Sequence, residues 1–163
     1  MARHELGDER TGVVAEGDEL IVERVFPAPP ALVWAAMTSA EHIPHWWGPH
    51  GTTAEVTEMD VRPGGRWRIG DGATVVFTGE FLEVDPPARF VRTSAPEAAA
   101  GAEPEKPPAV ETVTFEEVEG GTSMRYQARF PSEEVLDYAV SVGMTKGVLE
   151  QFDRLQELLT PMP

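Results

Sequence analysis

Hydrophobic and polar residues alternate with a period of two from residue 52 to about residue 130. This alternation predicts six strands, and the breaks between them are rich in glycine and proline, as turns are. The predicted strands cover residues 52–60, 66–70, 73–84, 88–93, 110–118 and 122–130. Short connections of this kind favour an antiparallel meander.

A further strand is predicted at residues 18–26, ahead of the meander. One of its faces carries Leu20, Val22, Arg24 and Phe26. Both faces are partly apolar, as expected for a strand that meets a helix on one side and a core on the other. Residues 1–17 are polar and lack periodicity, so we expect a flexible N-terminal tail before a single domain at 18–160.

Two short helices and one long helix complete the predicted elements. Residues 31–38 predict the first short helix, and Ser39 is a suitable N-cap for the second. Pro44 limits that second helix to one turn or to 3₁₀ geometry. The long helix is expected to begin after Ser132 and to end before Pro161. Its apolar positions recur at helical spacing, at Val148, Phe152, Leu155 and Leu159.

Two motifs join the short helices to the meander, and they contain three of the four tryptophans. The first is Trp46-Trp47-Gly48-Pro49-His50-Gly51, and the second runs from Met59 through Pro63-Gly64-Gly65 to Trp67-Arg68. Adjacent aromatic residues beside a tight turn predict a folded corner that closes a hydrophobic interior. One of the paired tryptophans could instead be exposed for a partner, but core packing with a role as a lid is favoured.

Composition narrows the class of protein. A chain of 163 residues without cysteine fits one domain with no disulfide framework or thiolate nucleophile. No apolar run approaches the roughly 20 residues of a membrane span, and the N-terminus lacks a signal sequence, so a soluble cytoplasmic protein is expected. The net charge of −15 disfavours nucleic acid and anionic membranes as partners. Arg62, Arg66 and Arg68 are therefore expected to form surface ion pairs.

The order of elements and several motifs resemble a known family. The motifs are residues 23–29, Val33-Trp34, the two tryptophan motifs, Gly79-Glu80-Phe81, residues 83–87, residues 111–115 and Gly143-Met144. Over about residues 18–160 the chain resembles the SRPBCC (START-like) superfamily, and within it the branch of homologues of the activator of heat-shock protein 90 ATPase. The resemblance implies an α+β helix-grip fold. In this fold a curved antiparallel sheet of about seven strands wraps around a long C-terminal helix, with two short helices after the first strand.

Two segments depart from what the resemblance implies. Residues 94–109 form a low-complexity stretch of alanine, proline and glutamate, and we expect a mobile loop that is longer than the family's usual connection. The first 17 residues are too short to be the additional N-terminal domain of the eukaryotic chaperone activators. This second departure weakens the chaperone interpretation.

Many members of the superfamily have a hydrophobic cavity between sheet and helix, and the resemblance implies one here. The predicted inward faces carry large apolar side chains, with Trp46 or Trp47 near an opening; the others are Trp67, Phe77, Phe81, Phe115, Tyr126 and Met144. A phenol in an apolar wall needs a hydrogen-bond partner, and a ligand could be that partner for Tyr126. The alternative is that these side chains only pack the core.

Neither a metal site nor a catalytic centre is predicted. His42, His45 and His50 lie close together with Glu41 and Glu55 nearby, but their spacing matches no zinc motif. A surface or aromatic-packed histidine cluster is therefore favoured. Glu55, Glu83 and Arg68 are strand residues that could face inward for acid–base chemistry, but a solvated face or an ion pair is favoured for all three. No cofactor motif is present either.

The function that the sequence favours is binding of a small, largely hydrophobic molecule, for sequestration, resistance, transport or sensing in a stress response. The first alternative is a chaperone-interacting module that resembles the ATPase activators. The second is a cyclase- or hydrolase-like enzyme that uses the same cavity. A binding protein is favoured over an enzyme because no nucleophile–base pair is apparent. The ligand and the oligomeric state are left open.

Overall fold

A computed structural model describes residues 3–48, 50–71, 75–97 and 107–160 of the chain. The described residues form a nine-stranded sheet in which all neighbouring strands are antiparallel. The strands are β1 (Arg3–Glu5), β2 (Gly12–Glu16), β3 (Glu19–Phe26), β4 (Glu55–Met59), β5 (Arg66–Gly70), β6 (Val76–Asp85), β7 (Arg89–Pro96), β8 (Ala109–Val118) and β9 (Gly121–Arg129). Their order across the sheet is β1-β2-β3-β9-β8-β7-β6-β5-β4.

Helices connect and cover this sheet. The α-helices are α1 (Pro30–Thr38), α2 (Glu133–Ser141) and α3 (Met144–Leu159), and a 3₁₀ turn spans Ile43–His45. The α+β helix-grip class predicted from the sequence is confirmed, and so are all seven predicted strands, within a few residues at their ends. The sheet has nine strands where about seven were predicted, because the N-terminus adds two. No described helix is long and apolar enough to cross a membrane.

The two additional strands form a hairpin where the sequence predicts a flexible tail over residues 1–17. Strand β2 pairs with β3, and its buried Val13 and Ala15 alternate with more exposed neighbours. The Asp8 carboxylate accepts hydrogen bonds from the backbone N–H groups of Arg10 and Thr11, and these bonds fix the turn between β1 and β2. Hydrogen bonding from the Arg10 amide also lowers the pKa of Asp8. Two buried side chains in one short strand are too weak a pattern to recognise in the sequence.

The long C-terminal helix of the prediction is divided in two. Helix α2 begins as expected, with the Ser132 hydroxyl accepting the backbone N–H of Val135. The helix then ends at Ser141, and Gly143 adopts the left-handed conformation with φ +97° before α3 begins. Glycine adopts this conformation at little steric cost, so the break needs no other support. The predicted apolar stripe lies entirely on α3.

Two smaller predictions are refined. The second short helix is a single 3₁₀ turn, as Pro44 indicated, but Ser39 lies at the C-terminal end of α1 and does not cap that turn. The loop predicted at 94–109 is shorter at both ends, because β7 continues to Pro96 and β8 starts at Ala109. Residues 98–106 of that loop lie outside the described residues.

One side of the sheet faces the helices, and the strand register identifies its residues. Phe26 of β3 contacts Phe152 of α3, with ring centroids 6.1 Å apart. Side chains of directly paired residues lie on the same face of a sheet. The register from Val22 to Tyr126, then to Val113 and Phe90, places these side chains on the helix-facing side.

Candidate functional site

The paired tryptophans are anchored to the C-terminal helix. Trp46 is 3% exposed, its ring stacks on Phe152, and its indole N–H donates to the Ala36 carbonyl at 2.8 Å. Trp47 is partly buried and meets the ring of Phe77 edge-on, with centroids 5.8 Å apart. Trp46 therefore belongs to the core, whereas Trp47 covers β6, the strand that carries Phe77.

The turn after the tryptophans is tied to α3 by hydrogen bonds. The Gly48 backbone N–H donates to Gln151 Oε1 at 2.9 Å. The guanidinium of Arg154 donates to the backbone carbonyls of Gly48 at 2.9 Å and of Thr52 at 3.2 Å. These contacts give the first tryptophan motif a structural role, since they fix the corner against the helix.

The second motif brings Trp67 close to the backbone of the neighbouring strands. Gly64 adopts φ +84° in the turn, and its N–H donates to the Phe81 carbonyl at 2.8 Å. Trp67 is 1% exposed and its indole N–H donates to the Thr93 carbonyl at 3.0 Å. The indole lies over Gly79, where a side chain would not fit, because an added Cβ would be 1.8 Å from the Thr93 oxygen. The register shift between β6 and β7 lies between Phe81 and Glu83, not at Gly79.

A continuous aromatic cluster lies on the helix-facing side of the sheet. Its rings meet at centroid distances of 5.7 to 6.3 Å, except for Trp67, which joins the cluster through Arg92. The members of this aromatic cluster are Trp34, Trp67, Phe81, Phe90 and Phe115. It forms an apolar wall of the kind expected in ligand sites or in a packed core.

Three polar side chains interrupt this wall, and we refer to them as the polar network. Arg92 Nε donates to Glu111 Oε1 at 2.8 Å, and the Tyr126 hydroxyl donates to Glu111 Oε2. The Arg92 and Glu111 side chains are only 11% and 10% exposed. The Arg92 guanidinium lies 4.1 Å above the Trp67 ring centroid, a cation–π contact. A buried ion pair is costly to desolvate unless such partners surround it.

Tyr126 stays protonated at physiological pH. Burial raises the pKa of its hydroxyl well above the ordinary value, and the neighbouring Glu111 carboxylate raises it further. The phenol therefore donates a hydrogen bond to Glu111, and its oxygen can still accept one.

The structure brings together only part of the predicted cavity set. Trp67 and Phe81 meet at Arg92, and Tyr126 joins them through Glu111. Phe115 packs against Trp34 and Phe90. The remaining members lie apart from this group: Trp46 on Phe152, Trp47 with Phe77, and Met144 at the start of α3.

Open concavities also occur among the described residues, and two of them are lined by no residue of the aromatic cluster. The first, of about 590 Å³, lies between the turn before α1 and the β8–β9 hairpin, at residues 27–29 and 117–121. The second, of about 210 Å³, is lined by His4, residues 15–17, Glu133, Leu136 and Asp137. Neither includes a side chain of the predicted cavity set.

The first half of α3 packs more loosely than the second half. Phe152, Leu155 and Leu159 are buried, whereas the apolar residues of the first half are only partly buried. These partly buried residues are Met144, Val148 and Leu149. An added Cβ at Gly143 or Gly147 would meet no heavy atom within 4 Å. Gly143 is exposed and Gly147 partly buried, so this open space lies at the surface around the start of the helix.

The residues weighed for metal or acid–base chemistry lie elsewhere. The described residues contain no group of three histidine or acidic side chains placed to hold a metal ion. Glu55 is exposed, and Glu83 pairs with Arg89 at the surface. Arg68 pairs with Glu97 at 2.6 Å and Arg62 with Asp60 at 2.8 Å, so the predicted surface ion pairs are confirmed for these two arginines.

Sequence reasoning missed the two charged members of the polar network. Glu111 is in phase with the buried Val113 and Phe115, and Arg92 is in phase with the buried Phe90. A charged residue that shares the period-two phase of core side chains is the signal that could have identified both. The same signal was available for Arg24, whose side chain is 0% exposed.

The chain was compared with known proteins and solved structures. The family described as "Activator of Hsp90 ATPase homolog 1-like protein" matches residues 27–160. The crystal structure of protein Ms6760 from Mycobacterium smegmatis is similar, with 25% identity, a TM-score of 0.80, and coverage of 93% of this chain and 99% of that chain. A solution structure of a protein from Arthrobacter aurescens has a TM-score of 0.81 at 22% identity, covering 91% of this chain and 90% of that one, and shows the shared fold.

No curated protein sequence matches the chain. The family match covers most of the chain, including α1 and every strand of the predicted meander. The resemblance inferred from the tryptophan and glycine motifs is therefore confirmed. The chain belongs to the family of proteins like homolog 1 of the activator of Hsp90 ATPase, within the START-like helix-grip fold.

Proposed function

We propose that the protein binds a small, largely apolar molecule between the aromatic cluster and the first half of α3. The observation that carries the proposal is the polar network, which lies within an apolar wall on the helix-facing side of the sheet. Ligand sites commonly combine aromatic walls with a few fixed polar groups. Core packing alone does not require a buried arginine–carboxylate pair, because apolar side chains of similar volume usually replace such a pair without loss of stability.

The loose packing of α3 supports the same place for the ligand. A ligand there would displace the first half of the helix, for which the break at Gly143 can act as a hinge. Thr145 supports this placement, because its buried hydroxyl oxygen has no hydrogen-bond partner among the described residues. An unsatisfied buried hydroxyl is costly, and a ligand or a bound water would relieve that cost.

Equilibrium dialysis with naphthalene tests this proposal. We expect one equivalent to bind with a Kd on the order of 10–100 µM, as for a small ligand that is buried mainly through apolar contacts. Val148→Trp should abolish this binding, because the larger ring on the partly buried side of α3 occupies the ligand's space. Lys146→Trp is the matched control, since Lys146 is exposed on the same helix. Failure of the native protein to take up naphthalene would refute the proposal, as would unchanged binding by Val148→Trp.

A second candidate function is a chaperone-interacting module, in keeping with the family's name. Two apolar residues favour it, because Tyr138 of α2 is 69% exposed and the adjacent Val142 is 63% exposed. Exposed apolar side chains close together are typical of protein contacts. If this function holds, the protein should stimulate ATP hydrolysis by heat-shock protein 90. The double variant Tyr138→Ser/Val142→Ser should lose the effect, and Leu82→Ser, which changes an exposed residue of β6, should keep it. Equal ATPase rates with and without the native protein would exclude this function.

A further inference from the structure

The hydrogen bonds of Arg92 leave part of its guanidinium available. Within the described part of the chain its Nε donates to Glu111, but neither Nη1 nor Nη2 donates a hydrogen bond. The side chain is 11% exposed, so neighbouring groups cover most of its surface. Guanidinium groups donate in a planar fork, and unused donors of a mostly buried side chain favour any group that can accept from them.

The rings around Arg92 indicate what kind of molecule carries the hydrogen-bond acceptor. The guanidinium carbon lies 4.1 Å from the ring centroid of Trp67, 5.2 Å from that of Phe90 and 5.9 Å from that of Phe81. These rings give the guanidinium apolar surroundings on several sides. A planar aromatic body packs against such rings better than a branched or strongly hydrated one does.

Charge decides between a neutral and an anionic acceptor. Glu111 already balances the charge of Arg92, so the pair as a whole does not attract an anion. A carboxylate at Nη1 or Nη2 would lie close to the Glu111 carboxylate and would lose its hydration in an apolar site. The net charge of −15 on the chain adds long-range repulsion. A carbonyl oxygen accepts the same hydrogen bonds without these costs.

We infer that Arg92 anchors the ligand by donating from Nη1 and Nη2 to the carbonyl oxygen of an uncharged aromatic ketone or aldehyde. Glu111 and Tyr126 act as positioning residues, because they hold the guanidinium through Nε and leave the other nitrogens free. This inference rests on the proposed function, since it names the class of molecule that the same site takes.

Three related probes separate the inference from the proposed function. Equilibrium dialysis is performed with naphthalene, with 2-acetylnaphthalene and with 2-naphthoate at neutral pH. The native protein should bind the ketone at least about 10-fold more tightly than naphthalene, which is the gain expected from a hydrogen bond to a charged donor. It should bind the carboxylate less tightly than the ketone.

Variants locate the source of this preference. In the double variant Arg92→Met/Glu111→Gln no charge is left unpaired, and the preference for the ketone should fall below about 3-fold while naphthalene still binds. Arg89→Met is the matched control, because Arg89 lies on the same strand and pairs with Glu83 at the surface. If the double variant does not fold, Arg92→Lys provides the comparison, because lysine keeps the positive charge but lacks the planar set of guanidinium donors. This variant should lose most of the preference for the ketone.

The outcomes are distinguishable. If the native protein binds naphthalene and the ketone equally, or if the preference survives in the double variant, the Arg92 anchor is overturned while the proposed function stands. Tighter binding of 2-naphthoate than of the ketone would overturn the neutral-acceptor argument. If none of the three probes binds, the proposed function fails and the anchor fails with it.

Discussion

Replacing Gly79 with alanine is expected to lower the free energy of unfolding by about 4 kcal/mol, the sum of overpacking and of a broken buried hydrogen bond. The added Cβ would lie 1.8 Å from the Thr93 oxygen and 2.6 Å from the indole nitrogen of Trp67. Both are atoms of the hydrogen bond that crosses above Gly79. The strand or the indole must move, and either movement separates the buried Trp67 from its acceptor.

Thermal unfolding followed by circular dichroism measures this effect, and a fall in Tm of roughly 8–16 °C is expected for a chain of this size. Gly70→Ala is the control. Gly70 ends the neighbouring strand β5, and there an added Cβ would meet its nearest atom at 3.6 Å, an ordinary contact. A Gly79→Ala variant with the native Tm would show that Trp67 does not need the close approach to β6.

Replacing Asp153 with alanine is the second change with a large expected effect. Arg24 is 0% exposed, and its Nη1 donates to the Asp153 carboxylate at 2.7 Å. Asp153 is itself 26% exposed and also pairs with Arg10, but its removal leaves the buried Arg24 charge uncompensated. Such a loss costs about 3 kcal/mol, the lower end of the usual range. The lower end applies because Thr11 and Gln156 still accept hydrogen bonds from Arg24.

This loss corresponds to a fall in Tm of roughly 6–12 °C. Glu83→Ala is the matched control, because it removes a carboxylate from the exposed pair with Arg89 and should cost less than about 1 kcal/mol. If Asp153→Ala is no more destabilising than Glu83→Ala, the pair between β3 and α3 does not hold the helix in place. If adding Arg24→Met to the Asp153→Ala variant restores the lost stability, the unpaired charge of Arg24 is the cause.

Most of the fold could be predicted because its strands repeat one simple pattern. Period-two alternation and turns such as Pro63-Gly64-Gly65 predicted the six strands of the meander and β3 to within a few residues. Two features escaped prediction for physical reasons. The N-terminal hairpin depends on pairing with β3, which is a tertiary contact. The division of the C-terminal helix depends on one glycine, Gly143, and helical periodicity continues across it.

The candidate site was predictable only in its apolar part. Trp67, Phe81 and Tyr126 could be placed on inward faces from their period, whereas Arg92 and Glu111 were overlooked. Strand charges are usually solvated, and in a chain with 28 acidic residues an individual glutamate carries little information. The structure adds the register, which places Arg92 directly opposite Glu111 and explains how the two charges stay buried together.

The indole N–H resonance of Trp67 gives the most direct test of where a ligand binds. Naphthalene is added to the isotopically labelled protein until dialysis indicates saturation, and the tryptophan indole signals are followed by nitrogen–proton correlation spectroscopy. We expect the Trp67 signal to shift along the binding curve, because its ring forms part of the aromatic cluster beside Arg92. The Trp46 signal should stay in place, since its N–H is bound to the Ala36 carbonyl beside Phe152. A saturated protein in which the Trp67 signal has not moved would contradict a ligand site between the sheet and α3.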